Sequence, residues 1–212
     1  MIPDKIPQRW KDRTVVIAAS GHSMGETASQ IHHRRVHGAP FVLVVTNTTY
    51  RLFPYADVLY GGDMLWWKHM HKEVERNFKG EKWTQDHSAA QRYGLQRIKG
   101  INKSGLGTQY VHINGNTGFQ AINLAYLFGS RRVLLTGFDM KLGPKGEKHW
   151  HADHPAPMVQ GQTFGEWIHK AATMAKDAQR LGLEIVNCTP GSALTCWPVS
   201  TLEIELGKNK GT

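Results

Sequence analysis

An α/β domain on a doubly wound, mostly parallel sheet is what the sequence predicts, and three observations predict it. The runs RTVVIAAS (13–20), FVLVVT (41–46) and RVLLT (132–136) are apolar and β-branched without alternation, the mark of strands buried on both faces. Segments of helical spacing separate them, which implies right-handed crossovers. The length of 212 residues suits one sizeable domain. Residues 1–212 are therefore read as a single Rossmann-like domain with a short lid or insertion.

The elements follow in order. Arg13–Ser20 is the first strand, and Ser20-Gly21-His22-Ser23-Met24-Gly25 turns into a helix over Glu26–His37. Gly38-Ala39-Pro40 ends that helix before the strand Phe41–Thr46. Ala56–Tyr60 is a short third strand, closed by Gly61-Gly62. Asp63–Asn77 reads as a helix with Trp66, Trp67, Met70 and Val74 on its apolar side. Residues 79–107 are polar, basic and rich in glycine, and are expected to form an irregular basic insertion or lid. Tyr110–Ile113 is a strand, Thr117–Phe128 a helix and Arg132–Thr136 a strand that ends at Gly137-Phe138-Asp139. Residues 141–161 form a His-rich loop at the expected active site. Thr163–Leu181 carries the clearest helical stripe, and Gly182 stops it before the last strand, Glu184–Asn187. Ser200-x-x-Glu203 predicts a capping box for a short final helix.

Composition bounds the partners. Lys plus Arg number 26 against 17 Asp plus Glu, a formal charge of +9, which suits a nucleotide, a nucleic acid met through the basic surface, or another anionic partner. No duplex-binding signature accompanies that charge. No apolar run reaches the roughly 20 residues that span a bilayer, and Met1–Thr14 has no apolar signal core. Two cysteines, Cys188 and Cys196, build no disulfide framework and read as small buried hydrophobes. The expected setting is cytoplasmic, without a membrane partner; a homo-oligomer is compatible with the sequence.

Ligands in doubly wound sheets sit beyond the carboxyl ends of the strands. The candidates there are Ser20, Gly21 and Ser23 after the first strand and Asn47 after the second. Asp63 follows the third, and Asn114, Asn116, Thr117 and Gly118 follow the fourth. Gly137 and Asp139 follow the fifth, and Thr189 and Ser192 follow the last. These groups suit a base, a ribose and a phosphate. SGHSMG lacks the G-x-G-x-x-G spacing, no acid ends the second strand, and no Gly-Lys-Ser/Thr follows. A dinucleotide fingerprint and a Walker A loop are thus both disfavoured. Asn116 or Thr117 can cap the next helix, whose first amides would favour a phosphate. Three His and one Asp crowd His149-Trp150-His151-Ala152-Asp153-His154, compatible with a metal site, a general base or a solvated loop. Standard zinc spacing is absent, so no metal ligand is assigned; one histidine of this run as general base and a purely structural loop both stay open.

Several stretches resemble a known family. VVIAASGHSM, TNTTY, VLYGGD, GNTGFQAINLAYLFGSRRVLLTGFDM, KHWHADH and NCTPGSAL together resemble segments of the small bacterial CMP-sialic-acid-dependent sialyltransferases. They are also similar to the related, often phage-encoded superfamily that includes archaeal 6-hydroxymethylpterin diphosphokinase. A phage-encoded member would act in the host cytoplasm. The resemblance covers residues 14 to 205 or so. It implies that Asn47 contacts the nucleotide, with Gly61 or Asp63 at another contact position. It further implies that Asn116, Thr117 and Gly118 hold phosphate or ribose and that Gly137 and Asp139 shape the site. His149 would be the base, with His154 near a second family histidine.

The sequence therefore supports a sialyltransferase-like glycosyltransferase using a nucleotide-sugar as substrate, with no cofactor, on an acceptor that a basic surface would allow to be polyanionic. Lys141 or Lys145 would meet the leaving phosphate. One alternative is diphosphokinase-like phosphoryl transfer, with Mg²⁺ on Asp63, Asp139 or Asp153. Another is a non-catalytic nucleotide- or nucleic-acid-binding protein.

Overall fold

Burial on both faces makes the central strands. Val15, Val16, Ile17 and Ala18 have no exposed surface, and neither do Leu43, Val44 and Val45. The computed structural model describes residues 6–152 and 163–207. In chain order its elements are β1 (Thr14–Ala18), α1 (Met24–Val36), β2 (Phe41–Thr46), β3 (Val58–Tyr60), α2 (Met64–Asn77), β4 (Glu81–Thr84) and α3 (His87–Tyr93). They continue as β5 (Gln96–Arg97), β6 (Gly100–Ile101), β7 (Val111–His112), α4 (Thr117–Leu127), β8 (Arg132–Thr136), α5 (Phe164–Arg180), β9 (Glu184–Asn187) and α6 (Leu202–Gly207). Seven strands form one all-parallel sheet in the order β5-β4-β3-β2-β1-β8-β9. The fold is α/β and Rossmann-like.

Alternate residues of each strand feed two cores. Val15, Ile17, Val42, Val44, Val133 and Leu135 pack with α4 and α5, through Phe119, Ile122, Ala171 and Met174. Val16, Ala18, Leu43, Val45 and Leu134 pack on the other face with Met24 and Ile31 of α1, Trp66 and Trp67 of α2 and Leu202 of α6. A period-2 strand between two helical layers needs apolar side chains at every position, which is why the strands read as unbroken apolar runs. Helix starts are fixed by side chains. Asp63 accepts from Trp66 N at 2.8 Å, Asp86 from Ala89 N at 2.8 Å and Asn116 from Phe119 N at 3.2 Å. Such a cap contributes about 1 kcal/mol.

Three expectations are corrected. Residues 79–107 are not an irregular insertion: they carry β4, α3, β5 and β6, and two of these strands extend the main sheet. The Asp86 cap starts α3, and Gly94, at φ +64°, ends it. The strand expected over Tyr110–Ile113 shrinks to β7, which pairs with β6 in a separate two-stranded ladder. Asn123, buried inside α4, takes the amides of Gly107 and His112 on one side-chain oxygen and so holds that segment outside the main sheet. The final helix exists, but Thr201 caps it by accepting from Ile204 N, while Ser200 donates to Glu205. No helix of the described residues is long and apolar enough to cross a membrane.

Candidate functional site

The strand order reverses between β1 and β8, so the loops after these strands diverge and leave a crevice. A pocket of about 400 Å³ opens there, walled by the turns after β1, β2, β3 and β8, by the start of α4 and by the loop that follows β8.

The floor depends on close approach of two turns. The Gly21 amide donates to the Gly137 carbonyl at 2.9 Å. A Cβ at Gly21 would overlap that carbonyl and Asp139 Oδ2, and Gly137 itself sits at φ +71°, where side chains are strained. Asp139, 2% exposed, accepts from the Ser23 amide at 3.2 Å and its hydroxyl at 3.0 Å, and pairs with His22 Nδ1 at 2.7 Å. Burial pushes the Asp139 carboxyl above the usual range, while the Ser23 hydroxyl and His22 pull it down. The strand-end turns are thus locked together by one buried acid.

Both sides of the turn after β8 are clamped from the loop that follows β9. Thr189 Oγ1 accepts from Phe138 N at 3.0 Å, and Ser192 Oγ donates to the Phe138 carbonyl at 2.6 Å. Ala193 N adds a bond to the Asp139 carbonyl at 2.9 Å.

The histidine loop returns over β1. The Ser20 carbonyl accepts from His149 Nδ1 at 3.2 Å and from Trp150 N at 3.3 Å. A carbonyl only accepts, so Nδ1 carries the hydrogen, and in the neutral ring the basic lone pair is on Nε2. Trp150 Nε1 reaches Thr49 Oγ1 at 3.4 Å, and Thr49 in turn meets Ser20 Oγ at 2.9 Å. His149 and His151 stack, ring centroids 5.1 Å apart.

The pocket brings together Ser20, Gly21, Asn47, Asp63, Asn116, Thr117, Gly118, Gly137, Asp139 and His149 among the residues predicted from sequence. Asn47 Nδ2 lies 3.5 Å from Thr117 Oγ1. Its Oδ1 is buried without a hydrogen-bond partner among the described residues, and its φ of +47° is one that Asn tolerates. Four predicted residues do not line it. Ser23 lies behind Asp139, and Thr189 and Ser192 brace Phe138. Asn114 is 2% exposed and bonds both the Gly105 amide, at 2.9 Å, and its carbonyl, at 3.1 Å. Short polar side chains after strands serve loop closure as readily as ligands, and these four serve closure. His154 and Asp153 lie outside the described residues.

Sequence reasoning missed Gln85, Gln120, Lys148, Phe164 and Trp167. Gln120 stands one turn from Thr117 on the same helix face, a signal available from spacing. It accepts from Tyr60 OH at 3.0 Å and donates to the Ile113 carbonyl at 3.0 Å. Phe164 and Trp167 fall on the apolar stripe of α5, whose spacing by itself reads as core, and Trp167 Nε1 donates to the Gly115 carbonyl at 2.9 Å. Trp66, 3% exposed, lines the pocket edge, whereas Trp67 is wholly buried and donates to the Gly61 carbonyl at 3.0 Å. Of the two lysines expected to meet a phosphate, Lys141 lines the pocket and Lys145 does not; Lys148 does.

Two lysines of the pocket can meet an anion. Lys141 and Lys148 face the pocket, and of its two acids Asp139 is paired with His22 and Asp63 caps α2. The first four amides of a helix lack intrahelical partners, and Asn116 takes that of Phe119, so the amides of Thr117 and Gly118 stand at the pocket's end of α4. Among the described residues no three His, Cys, Asp or Glu gather as metal ligands. Burial pushes the Cys196 thiol up, away from nucleophile character, and Cys188 is 4% exposed. No protein-family model and no curated protein matches the chain.

Proposed function

We propose that the pocket binds a nucleotide-sugar and that the protein is a sialyltransferase-like glycosyltransferase with His149 as general base. The observation that carries this reading is the tether of His149 Nδ1 to the Ser20 carbonyl at the rim of a cation-lined pocket. The tether gives the ring a fixed tautomer beside a place for a phosphate.

In this mechanism the acceptor oxygen attacks the anomeric carbon, and His149 Nε2 removes its proton as the new C–O bond forms. The anomeric carbon's bond to the phosphate oxygen breaks, and the electron pair leaves with the nucleotide. Lys141, Lys148 and the α4 amides meet that developing charge. Asn47 Oδ1, an acceptor without a partner among the described residues, suits a hydroxyl or amino group of the nucleoside. The pocket volume of about 400 Å³ suits a mononucleotide. Phosphoryl transfer on Mg²⁺ would draw on Asp63, Asp139 or Asp153; Asp63 and Asp139 already serve the fold, Asp153 lies outside the described residues, and proton removal by His149 draws on none of the three.

Thermal-shift titration with CMP, UDP and ATP, each with and without Mg²⁺, tests the reading. Stabilisation by CMP without metal, followed by sugar release from a CMP-linked donor seen by mass spectrometry, is the expected result. Stabilisation by ATP that requires Mg²⁺ replaces it with phosphoryl transfer, and no shift with any nucleotide removes it.

A further inference from the structure

A second cavity, of about 550 Å³, opens where α4 ends. At 1.5 Å per residue, the length of α4 puts it about 16 Å from the first pocket. Three cations, Arg97, Lys99 and Arg131, line it, and no Asp or Glu among the described residues does. None of the three forms an ion pair among the described residues. Arg97 Nε is buried and has no hydrogen-bond partner among them. A buried guanidinium N–H left unmatched is costly unless something fills its place. Glu81, two residues before the lining Trp83, is held by Arg9 at 2.8 Å and by the Trp83 indole at 2.7 Å.

Two aromatic rings complete the wall. Lys99 Nζ stands 4.6 Å from the centre of the Tyr110 ring, and the Arg131 guanidinium 4.9 Å from that of Tyr126. Both tyrosines are half-buried, so each presents a held ring rather than a mobile one. Cations beside aromatic faces in a concave site match the phosphates and unstacked bases of a single nucleic-acid strand. A duplex keeps its bases stacked inside and cannot offer them to a cavity of this size.

We propose that the cavity at the end of α4, where Arg97, Lys99 and Arg131 converge beside Tyr110 and Tyr126, is a second binding site for one or two nucleotides of single-stranded nucleic acid. It stands apart from the nucleotide-sugar reading and needs no turnover to test.

The test is fluorescence anisotropy of a labelled twelve-residue oligothymidylate with the intact protein at 50 mM and 200 mM salt. A variant with Lys99→Gln and Arg131→Gln changes two exposed side chains and is expected to keep the melting temperature. It should weaken binding at least tenfold and flatten the salt slope by about 0.7 per lost phosphate contact. Arg97→Gln should weaken it further, and Tyr110→Ala should cost about fivefold or more through lost stacking. A control carrying Lys68→Gln, Lys72→Gln and Arg76→Gln on the exposed side of α2 should bind within twofold of the wild type. Equal loss in that control assigns the binding to overall charge and overturns the site. So does equal affinity for a duplex of the same length, or no anisotropy change at 50 mM salt.

Discussion

At the scale of single residues, the division of labour around the pocket is open to test. On the proposed reading His149 would act on the acceptor while Asn47 and Asn116 would hold the nucleotide, so their substitutions should separate. A general base contributes about 10²–10⁴-fold in rate, so His149→Ala should remove most turnover and leave CMP affinity within a few-fold, measured by calorimetry alongside donor cleavage. Asn47→Ala should weaken CMP binding first, with turnover at saturating donor less affected. Full turnover in His149→Ala would move the base elsewhere in the histidine loop. Gly21→Ala tests the floor: its Cβ would overlap Asp139 and the Gly137 carbonyl. Overpacking of this kind costs about 1–3 kcal/mol, or roughly 3–10 °C in melting temperature for a chain of this length. Much of this site was legible because ligands of such sheets gather at strand ends, and ten of the residues read that way do line the pocket. Ser23, Asn114, Thr189 and Ser192 lie outside the pocket lining, since sequence does not tell a polar side chain aimed at a pocket from one that closes a turn. Gln85 and Trp167 were invisible for another reason: they enter the pocket from elements that are distant in the chain.

Among the elements, the turn after β8 depends on its braces. Thr189→Val keeps the side-chain shape but strands the buried Phe138 amide, a loss of about 1–3 kcal/mol. The melting temperature should fall by about 3–10 °C, and CMP binding should weaken with it, because Gly137 and Asp139 shift together. Other links between elements titrate. Arg51 binds Glu73 through two bonds of 2.6 and 2.7 Å, joining the turn after β2 to α2, and Arg9 binds Glu81 of β4. The guanidinium beside each holds Glu73 and Glu81 below the usual glutamate value of 4.5. Their folded values are lowered, so their contribution is present above about pH 4.5 and is lost as pH falls through the folded values. A variant with Glu73→Gln and Glu81→Gln should melt roughly 1–3 °C lower at pH 7, because half-exposed pairs are weak. The difference should vanish towards pH 3, read by circular dichroism melts. The long elements were legible from periodicity alone; β5 and β6, two residues each, leave no period to read, and Glu81 and Lys82 of β4 are polar and not buried.

For the whole molecule, the strand order predicts where the fold is firmest. The centre, β2-β1-β8, is buried on both faces, while β5 closes an edge and β6-β7 stands outside the main sheet. Amide exchange should therefore be slowest in β1, β2 and β8 and faster by several orders of magnitude in β5, β6 and β7. Equal protection across all seven strands of the main sheet would contradict that gradient. The pairing of β1 with β8 has a further consequence, because Thr14 lies beside Arg132. More than half of the chain must leave the ribosome before β1 gains its second neighbour. Until then a nascent chain carries an open strand edge, with unpaired backbone N–H and C=O groups flanked by apolar side chains, of the kind that recruits other chains. Such long-range closure is also slow. The Asp139 lock and the Gly137 floor arrive with that same late strand, so a half-made chain has no pocket, and whatever the pocket holds can be bound only by molecules that have finished folding.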